Sequence, residues 1–305
     1  MLIAGAVCPH PPLLIPAALG SAAADPPAEL RKVADAAAQA VSGLAGARPD
    51  VIVVVGGGAA EREYGAEASG GLHAFGVGVT VGPGEPVLPL SLTVGRWLLE
   101  GAGILAHEDA PDPAAGLADA EAELVGAGAG PADQAGLALP AEVPDLPDEA
   151  ADHPAEAVSL PGAVTGERRA GRRNIAVVFQ EVARNAAAGA CLKLGRILAD
   201  RAPRVALLAM GDACARPARE DPDVPDPAAQ DYDQEVAEAL AAADARWLAR
   251  LDPALDDELV VAGRAAWQVL AGAARGVRMR GRLLCMSAPF GVTYLVASWE
   301  QCPTD

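Results

Sequence analysis

At 305 residues, 51% hydrophobic but only 3% aromatic, the chain is long enough to bury a sizeable core built mainly from aliphatic side chains. A net charge of −18 argues against nucleic acid or an anionic membrane as partner, because such binding is driven by positive charge. The five cysteines (Cys8, Cys191, Cys214, Cys285 and Cys302) are scattered without any C-x-x-C spacing, so neither a disulfide framework nor a zinc finger is implied. No basic leader precedes the first apolar run, and no stretch is long enough to span a bilayer. A cytoplasmic protein with a small-molecule ligand is expected, with homo-oligomer formation left open.

The first segment, 2–8, is an apolar run long enough for a buried strand, and it stops at Cys8-Pro9-His10-Pro11-Pro12. Prolines have a fixed φ and restrict the residue before them, so the loop carrying His10 should be stiff. In open α/β sheets ligands bind beyond the carboxyl ends of the strands, where a rigid histidine serves as metal ligand or base. The alternative is a histidine that caps the strand by hydrogen-bonding the backbone; the residues alone leave both open.

The spacing of Leu30, Val33, Ala37, Val41 and Leu44 predicts an amphipathic helix over 29–44. Val51 to Val55 is a continuous β-branched run, expected of a strand covered on both faces. Strand, helix and strand suggest a right-handed crossover unit. Both strands would then end at one edge, with Gly56, Gly57 and Gly58 beside His10. A glycine run there permits close approach of a ligand, and its N–H groups could cradle an anion; a plain tight turn is the competing reading. His73 lies in a glycine-rich stretch expected to be mobile and solvated. A helix is predicted over 91–101, around Trp97.

From 107 to 173 the composition shifts to Pro, Ala, Gly, Asp and Glu with few large apolar residues, which reads as a low-complexity, disordered insertion in an otherwise single 1–305 domain. Strands are predicted at 174–179, ending in Gln180-Glu181, and at 204–210, ending in Gly211-Asp212. A helix at 187–200 separates them. A helix over 232–251 is expected to be capped by Asp231, and another, opened by Asp252-Pro253, to run through Trp267 to about 274. Strands at 282–286 and 292–299 are close enough to pair antiparallel. The fold class is therefore a three-layer αβα arrangement around a mixed, mostly parallel sheet, with a C-terminal antiparallel pair.

Four segments in order, CPHPPLLIP, RPDVIVVVGGG, PRVALLAMGDACAR and WQVLAGA…APFGVTYLVASW, resemble the class III extradiol ring-cleavage dioxygenases of subunit-B type, in their actinobacterial branch. The resemblance implies a metal-dependent oxidoreductase, with Fe(II) or another divalent metal on His10 and a small aromatic substrate. It also marks departures. The family's second metal-binding histidine is missing from the loop after Val55, and the acid–base histidine near Asp212 is replaced by Ala215 or Arg216. Gly263 stands at the expected metal-binding glutamate.

A facial Fe(II) site needs two histidines and a carboxylate. Replacements are conceivable, because Cys8 and His10 are two apart on an extended segment and Glu181, Asp212 or Cys214 could complete a set better suited to zinc or copper. The candidate catalytic residues are His10, Asp212 and Glu181, with Gly56, Gly57 and Gly58 as a substrate-binding loop and His10 as the metal ligand. Three classes remain open: the metal-dependent oxidoreductase, a hydrolase or lyase using His10 with Glu181 or Asp212, and a non-catalytic binding homologue.

Overall fold

The computed structural model describes residues 1–106, 175–215 and 226–303. The expected insertion at 107–173 lies outside the described residues. In chain order the elements are β1 (Leu2–Cys8), α1 (Ala28–Gly46), β2 (Val51–Gly58), β3 (Arg62–Tyr64), β4 (Ser69–Gly71), β5 (Thr80–Val81), β6 (Pro86–Leu88) and α2 (Leu90–Gly101). They continue with β7 (Ala176–Ala183), α3 (Ala188–Ala199), β8 (Val205–Met210), α4 (Pro227–Ala242), α5 (Ala245–Leu248), α6 (Ala254–Leu259), α7 (Arg264–Ala273), β9 (Met279–Ser287) and β10 (Tyr294–Gln301).

One seven-stranded sheet, in the order β3-β7-β2-β8-β1-β10-β9, forms the middle layer. Its four central strands, β7, β2, β8 and β1, run parallel, while β3, β10 and β9 add antiparallel edges. Because strand side chains alternate, the sheet divides the interior in two. Val53, Val55, Leu207 and Ala209 pack with residues of α3, α4 and α7 on one face. Ile52, Val54, Ala206, Leu208 and Met210 pack with α1 and α2 on the other. The expected αβα layering and the C-terminal antiparallel pair are both present.

Three local expectations change. The helix placed at 232–251 begins earlier, at Pro227, and its cap is Asp226, whose Oδ1 accepts from the Ala228 N–H at 2.8 Å. Asp226-Pro227 is the same Asp-Pro start signal that opens the segment at Asp252, where Oδ1 accepts from Ala254 N. That second helix is broken: Val260 adopts φ 55°, Cys214 bridges Val261, and the Ala262 N–H donates to the Asp212 carbonyl. The backbone of 260–263 is drawn to the loop after β8 instead of continuing the helix. The glycine-rich 70–76 stretch, expected to be mobile, begins within β4, the middle strand of a small second sheet, β5-β4-β6. Arg96, buried against Glu100 at 2.8 Å, secures it by donating to the carbonyls of Ala66 and Ala68.

No helix among the described residues is long and apolar enough to cross a membrane.

Candidate functional site

The carboxyl ends of the parallel strands bring the candidate residues to one edge, in an order set by register. Cys8 of β1 and Gly56 of β2 both align with Met210 of β8, and Glu181 of β7 aligns with Gly56. Two residues beyond the Cys8–Met210 pair stand His10 and Asp212, side by side. The glycine run does not lie beside His10 as the simple crossover suggested. Strand β8 is inserted between β1 and β2, so Asp212 is the neighbour and Gly58 is one strand further away.

His10 and Asp212 form the centre of the edge. The proline-bound loop leaves His10 only 4% exposed. Its backbone N–H donates to Asp212 Oδ1 at 2.7 Å, and the same oxygen lies 3.4 Å from the imidazole Nδ1. Nδ1 is buried and makes no hydrogen bond of standard geometry. Asp212 thus fixes the loop through its backbone and faces the ring with negative charge. That charge favours the proton on Nδ1 and leaves the Nε2 lone pair as the reactive position. Burial lowers the His10 pKa below its ordinary value; Asp212 opposes this and the Arg184 charge adds to it. Burial wins, so the imidazole is neutral at neutral pH, the form a general base requires.

Other groups reach the same edge. Tyr294, at the start of β10, is buried, and burial together with the Asp212 charge pushes its phenol pKa up. Thr293, just before it, exchanges backbone hydrogen bonds with the loop after β8: its N–H donates to the Cys214 carbonyl, and its carbonyl accepts from Ala213. Arg184, directly after β7, lies along the Gly57 backbone. Neither Tyr294 nor Arg184 was singled out from the sequence. The position of each just beyond or at the start of an edge-terminating strand was the available signal.

Glu181 has a different place from the one expected. Its carboxylate turns toward the chain after β2. There Oε1 accepts from the N–H groups of Ala59 at 2.6 Å and Ala60 at 3.2 Å, and Oε2 accepts from the Tyr64 hydroxyl at 2.7 Å. A Cβ at Gly58 would overlap this carboxylate, which explains the glycine there. The loop expected to cradle an external anion therefore already holds an internal one. Gly56 and Gly57 are enclosed as well: a Cβ on the first would meet Ser91, and on the second Arg184.

The residues present do not fit the Fe(II) set that the resemblance implies. No group of three or more His, Cys, Asp or Glu side chains among the described residues is arranged to hold a metal. His73 is exposed, at the start of a short 3-10 turn beside the small sheet. Cys8 is fully buried in the core, where burial pushes its thiol pKa far up. Cys214 is buried too; its N–H donates to Asp233 Oδ1 at 3.0 Å, and burial and that carboxylate both raise its thiol pKa. At the expected glutamate, Gly263 backs onto Gly211, and any Cβ there would overlap the fully buried Trp267 indole. The position is closed to every side chain, not only to glutamate.

No family model and no curated protein matches the chain. Among solved structures, the crystal structure of uncharacterized protein JW3007 from Escherichia coli K12 is similar with a TM-score of 0.44 and 13% identity, covering 98% of this chain and 99% of that one. A likeness this distant bears neither on the fold nor on the chemistry.

Proposed function

We propose that the chain is a divergent relative of the class III extradiol dioxygenases that processes a small molecule by proton transfer at His10. The observation that carries this reading is the His10–Asp212 pair: a buried, neutral imidazole on a proline-bound loop, with a carboxylate facing Nδ1. Such a pair supplies an oriented base, worth typically about 10²–10⁴-fold in rate. His10 would take a proton through Nε2, Asp212 would stabilise the imidazolium that forms, and Tyr294 would present a protonated phenol beside the pair. The missing metal donors favour hydrolase or lyase chemistry over oxygen activation.

The test is a screen of small-molecule esters and compounds with acidic C–H bonds, run in the presence of a chelator. Turnover should survive the chelator, fall about 10²–10⁴-fold in His10→Ala, and show a rate that declines on the acid side as His10 protonates. Turnover that requires added Fe(II) and oxygen would instead restore the dioxygenase reading. We also place the protein in the cytoplasm, a reading supported by its five free thiols.

A further inference from the structure

Among the described residues, Arg184 stands at this edge with a guanidinium that no carboxylate pairs. Its guanidinium makes no ion pair or hydrogen bond with the described residues, and the residue is exposed. Its backbone, by contrast, is held from both sides. The Arg184 N–H donates to the Gly58 carbonyl at 3.2 Å. The Arg184 carbonyl accepts from Nη2 of Arg264 at 2.6 Å, and Nη1 of the same guanidinium donates to Ala186 at 2.9 Å.

Arg264 is only 1% exposed and is itself fixed, by Asp256 at 2.6 Å and by Gln268 at 2.8 Å. Burying a guanidinium is costly unless it is paired and hydrogen-bonded, and this one is both. Its two main-chain contacts immobilise the turn that carries Arg184. The side chain then runs beside Gly57, with Cγ 3.2 Å and Nε 3.8 Å from where a Cβ on that residue would stand. A larger residue at 57 would displace it.

We propose that Arg184 anchors a carboxylate carried by the substrate, placing the reacting end of that molecule toward His10. The proposal rests on the reading of His10 as the base of this edge and adds the class of substrate, a small organic carboxylate. A carboxylate is favoured over a phosphate for two reasons. One guanidinium balances the single charge of a carboxylate, whereas a phosphate dianion would be left half neutralised. The N–H groups of Ala59 and Ala60, which could have completed a phosphate cradle after the glycine run, are taken by Glu181. The positive charge of Arg184 also disfavours protonation of His10, keeping the base free when the site is empty.

Isothermal titration of the full chain with benzoate, with its uncharged amide benzamide, and with inorganic phosphate, at low ionic strength, tests the proposal. The parent should bind benzoate at least about 10-fold more tightly than benzamide. Arg184→Gln should lose about 10- to 100-fold toward benzoate, the range expected for a charged hydrogen-bonded pair, and little toward benzamide. Arg184→Lys should recover part of that loss. Because the side chain is exposed, both variants should melt with the parent. His10→Ala should still bind benzoate within about 3-fold of the parent, since no contact to the anion is removed. If His10→Ala keeps full turnover while Arg184→Gln loses benzoate, the base assignment fails and the anchor stands. The anchor is overturned if Arg184→Gln binds benzoate like the parent, if the parent binds no benzoate or does not prefer it to benzamide, or if phosphate is the tighter Arg184-dependent ligand.

Discussion

Gly58 and Glu181 should behave as one unit in unfolding experiments. Glu181 is buried and its carboxylate accepts three hydrogen bonds, from Ala59, Ala60 and Tyr64. Hydrogen bonds to charged groups contribute about 1.5–3 kcal/mol each and are not additive, so Glu181→Ala should cost about 3–5 kcal/mol in all. A Cβ on Gly58 would lie 2.5 Å from Glu181 Cδ and 2.6 Å from Cγ, closer than real contacts allow. Gly58→Ala must therefore evict the carboxylate and should cost about 3 kcal/mol by itself, although its backbone is not in the positive-φ region and would accept alanine. In a Glu181→Ala background the obstruction is gone, and the same change should cost less than about 1 kcal/mol. Urea unfolding of the parent, both single variants and the double variant gives the coupling directly, and it should exceed about 2 kcal/mol. Additive costs within about 0.5 kcal/mol would show that the carboxylate does not occupy the space over Gly58.

Stability should also depend on pH through His10. Its folded pKa lies below the ordinary 6.5, so the unfolded chain takes up a proton first as pH falls; its contribution is complete above about 6.5 and is lost as pH drops through the folded value. The urea midpoint should fall between pH 8 and pH 5 by a smaller amount in His10→Gln than in the parent; equal falls would contradict this. Gly263→Glu, which supplies the glutamate that the resemblance implies, should lower stability by about 3 kcal/mol through overlap with Trp267 and create no stoichiometric Fe(II) binding; a stable variant that binds iron would refute the closed site. Asp226→Ala should cost about 1 kcal/mol by removing the cap of α4, whereas Asp231→Ala should be nearly neutral. The reverse order would restore the later helix start.

Much of the architecture could be read from periodicity. The buried β-branched run of β2 and the apolar stripe of α1 each follow from side chains meeting one environment along a regular element. What could not be read was the lateral order of strands. Nothing in the apolar run of β8 says that it inserts between β1 and β2, and that insertion decides which loop stands next to His10. Asp212 was a candidate because it follows a strand, and the structure places it against His10. Glu181 followed a strand by the same logic, yet side-chain direction took it to Ala59 and Tyr64 instead. Arg184 and Arg264 escaped notice because each matters through three-dimensional contacts: one through a guanidinium without partners among the described residues, the other through main-chain carbonyls distant in sequence.

At the heart of the site, burial should hold His10 neutral while Asp212 orients its ring. Long-range ¹H–¹⁵N correlation of the imidazole nitrogens across a pH titration measures both properties at once. The ring should be neutral and protonated on Nδ1, with an apparent pKa below 6.5 that falls further in Asp212→Asn, because that carboxylate is the group opposing burial. A His10 that titrates at or above 6.5, or one whose titration does not respond to Asp212→Asn, would contradict it.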